Sequence, residues 1–185
     1  EKVGALLTLG FSGTLVRPHI HEYIVKYNCG GLRLSPHLRA FGSYTDPKTG
    51  GIIVDIQNEN GYKKGMKTPP YPTASEYKKV LTELQNLALN RRSGLPLHFS
   101  FDQEGGTSAD YNFGGVRIFP KPMGLRAAGD SNLAYEVARA VAKQSLAVGF
   151  NWIHSPVLDI NTDPRNPEIY TRAYSDRVEE VVEYA

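Results

Sequence analysis

Cysteine is nearly absent. Cys29 is the only one among 185 residues, which excludes an internal disulfide framework and any Cys-x-x-Cys motif. It reads as a small core residue closing a helix. No apolar run approaches the roughly 18 residues that a membrane-crossing helix needs. Charge of one sign is scarce too. A net charge of +2 and the lack of a Lys/Arg run argue against nucleic acid or an anionic membrane surface as partner. Metal-ligand spacing is missing: His19 and His21 are two apart in a helical pattern and diverge, and His98 stands alone. Gly10-Phe-Ser-Gly13 lacks the spacing and the lysine of a phosphate loop, and Ser12 and Ser155 have no nucleophile-elbow context. The sequence starts at Glu1 with no basic-then-apolar leader, which leaves the compartment open between cytoplasmic, periplasmic and secreted.

What is present suits one soluble domain with a substantial core. Hydrophobic residues make up 41% and charged residues 22%, both ordinary values. The chain is organised around Leu95-Pro-Leu-His-Phe-Ser-Phe-Asp-Gln-Glu-Gly-Gly106. Leu95, Leu97, Phe99 and Phe101 alternate with Pro96, His98 and Ser100, the period of a pleated strand. Asp102 and Glu104 follow two apart, so they leave on one side if the strand stays extended. Gly105 and Gly106 then allow a sharp turn. Carboxylates at the C-terminal tip of a strand stand where α/β folds keep their sites.

The rest of the chain repeats one theme. Val3 to Leu9 is a short strand pattern, and Pro18 opens a helix to about Asn28 with Ile20, Ile24 and Tyr27 on one face. Leu32-Arg33-Leu34 is a second strand. Residues at about 35–72 form an irregular insertion, rich in turn chemistry, with Ile52 to Ile56 as a minor strand. Thr73-Ala-Ser-Glu76 fits a capping box, and Tyr77, Val80, Leu81, Leu84, Leu87 and Ala88 make the helical stripe behind it. After the central strand a loop runs from Gly106 to about Gly129. A third helix spans about Asp130 to Val148 with Val137, Ala140 and Val141 buried, and Gly149 closes it. Phe150 to Leu158 is a fourth strand, and a fourth helix begins at Ser175-Asp176 with a stripe of Val178, Val181, Val182 and Ala185.

Four strands alternating with four helices imply right-handed βαβ units and a parallel sheet. Two architectures satisfy that order: a small doubly wound open sheet, or the first half of a (β/α)8 barrel, since a whole barrel takes about 250 residues.

Two motifs then carry a resemblance. Asp102-Gln-Glu-Gly-Gly106 and Ser155-Pro-Val-Leu-Asp159, the latter followed by Asn166-Pro167 and Arg172-Ala-Tyr-Ser-Asp176, resemble the N-terminal part of the catalytic barrel of glycoside hydrolase family three. The first strand through Gly13, the Gly30-Gly31 strand, Ile118-Phe-Pro120 and Gly149-Phe-Asn-Trp152 fall in matching places. The resemblance implies a TIM-type (β/α)8 barrel of which only about the first half, four β/α units, is present. It implies a retaining exo-acting β-glycosidase with a carbohydrate substrate, a β-N-acetylhexosaminide or a β-glucoside, and no cofactor. Its substrate-binding residues fall on Asp102 and Arg172, which would hold the sugar of the −1 subsite; Glu104 would brace the loop through backbone N–H groups. The family's nucleophile and general acid fall beyond residue 185, so the resemblance places no catalytic residue in this chain and implies that the rest of the barrel is needed. An Arg that cell-wall hexosaminidases of the family carry shortly after Gly-Gly has no counterpart in Thr107–Phe113.

Each of these readings has a plainer rival. Arg172 could pair with Asp176 or Glu179 at the next helix start. Tyr111, Phe113 and Phe119 could stack on sugar faces or simply pack their loop. Trp152 and His154 read as core, because a parallel strand is buried on both faces. A non-catalytic open-sheet sugar-binding module remains the alternative for the whole chain.

Overall fold

The computed structural model describes residues 2–12, 16, 18–36, 43–45, 52–54, 73–112 and 115–185. Contacts group the chain into two units, residues 1–99 with 113–115, and residues 100–112 with 116–185.

In the first unit, strands β1 (Thr8–Ser12) and β2 (Gly31–Ser35) pair in parallel, with Thr8 opposite Gly31 and Ser12 opposite Ser35. The helix between them, α1 (Pro18–Val25), buries Ile20 and Ile24. It stops three residues before the expected Asn28, and Tyr27 is 50% exposed instead of continuing the stripe. Asn28 itself takes φ 56°, a left-handed turn that helical bonding cannot continue through. Within the expected insertion, β3 (Ser43–Thr45) and β4 (Ile52–Val54) form an antiparallel ribbon; residues 37–42, 46–51 and 55–72 lie outside the described ones. Helix α2 (Ala74–Leu89) opens on the expected capping box: Thr73 Oγ1 accepts from Glu76 N–H, and Glu76 accepts from Thr73 N–H at 2.7 Å. Its buried residues are Tyr77, Leu81, Leu84 and Ala88, and it packs on α1.

Arg91 follows α2 and is 9% exposed. Its guanidinium donates to the carbonyls of Ile24 (3.2 Å), Cys29 (2.7 Å) and Leu95 (3.0 Å). One side chain thus joins the end of α1, the start of β2 and the approach to the central strand. That strand, β5 (His98–Phe101), sits beside β2, where His98 N–H donates to Gly30 O at 3.0 Å. A Cβ on Gly31 would stand 2.1 Å from His98 Nε2, so a side chain there would displace the imidazole, which contacts Thr8 Oγ1 at 2.6 Å. Leu97, Phe99 and Phe101 are buried as the alternation requires, whereas Leu95 is 48% exposed and precedes the strand.

The boundary between the units falls within β5. In the second unit its last two residues pair in parallel with β8 (Trp152–Ile153): Ser100 opposite Trp152 and Phe101 opposite Ile153. Phe101 stacks on Phe150 at 4.0 Å between ring centroids, and Tyr111 meets Phe150 edge-on at 5.3 Å. Helix α4 (Ser131–Val148) is capped by Asp130, which accepts from Asn132 N–H, and closed by Gly149 at φ 113°. Its fully buried residues are Ala134, Ser145 and Val148; Val137, Ala140 and Val141 are half-buried.

Three expectations fail in this unit. The loop expected from Gly106 to Gly129 contains a short helix, α3 (Pro122–Ala127), started by a proline in its first turn. The fourth strand is two residues long, not nine, and Trp152 is 53% exposed with His154 also exposed. Among the described residues only β5 pairs with β8, and the face that carries Trp152 and His154 is open rather than buried. Helix α5 (Val178–Tyr184) begins two residues late, because Ser175 Oγ accepts from Arg177 N–H ahead of it. It buries Val181 and Tyr184 against Leu125, Ala134 and Tyr174, leaving Val178 and Val182 exposed. Among the described residues no helix is long and apolar enough to cross a membrane. Strand–helix alternation with parallel pairing makes the architecture α/β.

Candidate functional site at the tip of the central strand

β5 ends at Phe101, and the backbone then changes partners. Asp102 N–H donates to Asp110 Oδ2 at 2.8 Å, while Asp110 N–H donates to Asp102 O at 2.9 Å. Asp110 is 7% exposed, so this exchange fixes the strand tip from inside. The next three residues, β6 (Gln103–Gly105), form a bulged antiparallel ribbon with β7 (Ser108–Ala109). Gln103 Nε2 donates to Tyr111 O at 3.0 Å and clamps the ribbon. The two-residue spacing of Asp102 and Glu104 therefore does not put them on one continuous strand. Gly105 takes φ 106°, and a Cβ there would lie 2.4 Å from Pro120 O. Gly106 N–H donates to Phe119 O at 2.8 Å. Only glycine satisfies both the turn and the close approach.

Glu104 does brace this loop, but through an arginine. Its side chain is 7% exposed, and Arg172 grips it bidentately: Nε to Oε2 at 2.6 Å and Nη2 to Oε1 at 2.8 Å. Parallel N–H donors on a planar fork match a carboxylate in both geometry and charge. Among the described residues Glu104 bonds to that fork in place of the expected backbone N–H groups. The other side of the guanidinium is also held. Nη1 donates to Glu168 Oε1 at 2.9 Å and to Glu168 O at 3.1 Å. Arg172 thus pairs with Glu104 and Glu168, not with Asp176 or Glu179. Its hydrogen bonds to Glu104, foremost, hold its pKa above the ordinary arginine value. A single turn of 3-10 helix, Tyr170–Arg172, places it, and Tyr170 is strained there at φ 35°.

The two expected sugar ligands are consequently linked in space. Asp102 is half-buried at the end of β5, and Arg172 is fixed to a residue two positions further on, although 70 residues separate the two in sequence. Glu168 and Asp110 are site residues that the sequence reading missed. The four-residue spacing of Glu168 and Arg172 is a visible signal; the Asp110 bond, across a loop with no motif, leaves none.

The aromatic candidates divide. Tyr111 is 2% exposed, and burial pushes its phenol up to about 12, so it packs the core against Phe150. Phe119 is half-buried, and Phe113 lies outside the described residues. Phe119 also lines a cavity of about 560 Å³ with Leu125, Val137, Val141, Tyr174 and Tyr184. Asp102 and Arg172 do not line it, whereas Gln103, Glu104, Asn132 and Ser155 do, beside the apolar walls. Among the described residues no group of three His, Cys, Asp or Glu side chains could hold a metal.

Elsewhere in the unit Glu180 accepts from Arg126 and from Ser175 Oγ. These bonds, with Arg126 the larger influence, lower its pKa to about 2. They tie α3 to the start of α5.

Comparison with known proteins agrees with the motif resemblance. The model of the glycosyl hydrolase family 3 N terminal domain matches residues 8–185. Beta-hexosaminidase A of Pseudoalteromonas piscicida is 36% identical over 97 residues, which cover 50% of this chain and 16% of that protein. A periplasmic beta-glucosidase/beta-xylosidase of Dickeya chrysanthemi is 34% identical over 91 residues, 47% of this chain and 14% of that protein. The solved structure of a glycoside hydrolase family 3 β-N-acetylglucosaminidase from Paenibacillus sp. str. FPU-7 superposes with a TM-score of 0.76 at 29% identity, covering 99% of this chain and 28% of that one. The chain therefore spans less than a third of the length of each of these relatives.

Proposed function

The chain belongs to glycosyl hydrolase family 3, and on that premise we propose that the protein is a retaining, exo-acting β-glycosidase. It hydrolyses terminal β-linked sugars, a β-N-acetylhexosaminide or a β-glucoside, and this chain supplies part of the −1 subsite. The strands and helices described above are about the first four β/α units of a (β/α)8 barrel, interrupted by the insertion at about 35–72. The rest of the barrel completes the site.

The observation that carries this reading is the Arg172–Glu104 fork, which ties Arg172 to the residue two positions after Asp102. A carboxylate offers acceptors and a guanidinium donors, and a pyranose hydroxyl needs one of each. Asp102 accepts from hydroxyls of the terminal sugar, and Arg172 donates to it. A retaining mechanism also needs a nucleophile and a general acid about 5–5.5 Å apart. Glu104 is committed to Arg172, so Asp102 and Glu104 do not form that pair. The nucleophile and acid come from outside these 185 residues, and the chain's own residues orient the sugar for them. Hydroxyl contacts that strengthen in the oxocarbenium-like transition state contribute several kcal/mol.

Hydrolysis of chromogenic β-N-acetylglucosaminide and β-glucoside by the full-length protein tests this. We expect turnover of at least one, and a loss of about 10²–10³-fold in kcat/KM for Asp102→Asn, matching roughly 3–4 kcal/mol of transition-state binding. Saturable sugar binding without hydrolysis would support a binding module instead. An Asp102→Asn variant as active as wild type would remove Asp102 from the subsite.

A further inference from the structure

The two carboxylates on Arg172 are unequal. The Glu104 side chain is 7% exposed and the Glu168 side chain 83%, with Arg172 between them at 26%. Glu104 takes Nε and one hydrogen of Nη2; Glu168 takes both hydrogens of Nη1, one through its carboxylate and one through its own carbonyl. Four of the five N–H donors of the guanidinium are thus engaged. A sugar reaching Arg172 finds one Nη2 hydrogen and an Nη1 group already bonded to a solvent-facing carboxylate.

We propose that Glu168 is an internal placeholder for substrate: its carboxylate occupies the outward Nη1 position of Arg172, and a sugar hydroxyl displaces it on binding, while Glu104 is the positioning residue that keeps the guanidinium in place throughout the exchange. The proposal rests on the glycosidase reading of the same site. Release of Glu168 sacrifices only an exposed ion pair, which is weak in water. Release of Glu104 would strand a buried carboxylate, so it stays. The exchange leaves the outward Nη1/Nη2 edge of the fork with two parallel donors, a match for adjacent oxygens of one sugar ring. Glu104 meanwhile keeps the arginine in its binding position before substrate arrives, which lowers the ordering cost of association.

The test is steady-state kinetics of the full-length protein on the chromogenic β-glycoside that it turns over fastest. Glu168→Gln weakens the competing bond, so KM falls about threefold with kcat changed less than KM. Glu104→Gln loosens the fork, so kcat/KM falls by roughly tenfold to a hundredfold, and Glu104→Asp, which keeps the charge, recovers part of that loss. An added arm uses sugar product as inhibitor: its inhibition constant falls in Glu168→Gln in parallel with KM. If wild type hydrolyses β-glycosides but Glu168→Gln leaves KM and the inhibition constant unaltered, the placeholder is wrong while the glycosidase reading stands. If Glu104→Gln fails to fold, the exposed Glu168→Gln variant decides alone. If wild type hydrolyses no β-glycoside, the glycosidase reading falls and the placeholder falls with it.

Discussion

Arg91 and Arg172 are both withdrawn from solvent, one in each unit, and they are held by different kinds of acceptor. Arg91 donates to three backbone carbonyls. Arg172 donates mainly to two carboxylate side chains. Carbonyls of Ile24, Cys29 and Leu95 cannot turn away without unwinding the segments that carry them, so no outside ligand can compete for Arg91. The carboxylate of Glu168 can rotate into water, and its place on Arg172 can be taken. The choice of acceptor separates an arginine that stabilises the fold from the one we propose is available to a substrate.

The largest effect that can sharpen this contrast is on activity. Arg172→Ala should lower kcat/KM of the full-length protein by about 10²–10³-fold on a chromogenic β-glycoside, as the loss of a charge-assisted donor in a closed site does. Arg91→Ala should leave kcat per folded molecule near wild type, since Arg91 bonds only within the first unit. Equal losses of activity in the two variants would erase the distinction.

Stability should run the other way. Arg91→Ala leaves the buried carbonyls of Ile24 and Cys29 and the part-buried one of Leu95 without their donor, and each unmade buried bond costs about 1–3 kcal/mol. We therefore expect about 3 kcal/mol or more, read by urea unfolding and by faster amide exchange around the end of α1. Arg91→Lys recovers part of the loss, because one ammonium reaches fewer of three carbonyls held in a fork geometry. A destabilisation below about 1 kcal/mol would mean that water replaces the guanidinium.

These two arginines also mark how far the sequence could be read. Helix α2 was legible residue by residue, because capping box and stripe are local: Thr73 and Glu76 are three apart, and Tyr77, Leu81, Leu84 and Ala88 repeat at helical spacing. The Asp102–Gly106 turn was legible as chemistry, though not as geometry, because the strand ends one residue before the carboxylate. Long-range partners were not legible. Glu104 and Arg172 are 68 residues apart, and Arg172 had nearer acids in Asp176 and Glu179 that local spacing favoured. Trp152 misled for a related reason. Burial of a strand depends on what lies over it, and a run of apolar residues carries no record of its neighbours.

A third arginine gives the smallest and most specific test. Arg126 is 38% exposed on its side chain and pairs with Glu180, at 16%, so solvent weakens the bond. The Glu180 pKa is nonetheless lowered from 4.5 to about 2, first by Arg126 and then by Ser175. A carboxyl with a lowered folded-state pKa adds stability above its unfolded value and loses it as pH falls toward the folded one. Wild type should therefore exceed Glu180→Gln in urea midpoint at pH 7, and the gap should close between about pH 4.5 and pH 2. The Arg91→Ala penalty should stay constant over the same window, because carbonyls do not titrate there. A Glu180→Gln gap that does not change with pH would show that the Ser175 and Arg126 bonds act by shape alone, and the contrast between carbonyl-held and carboxylate-held arginines would lose its electrostatic half.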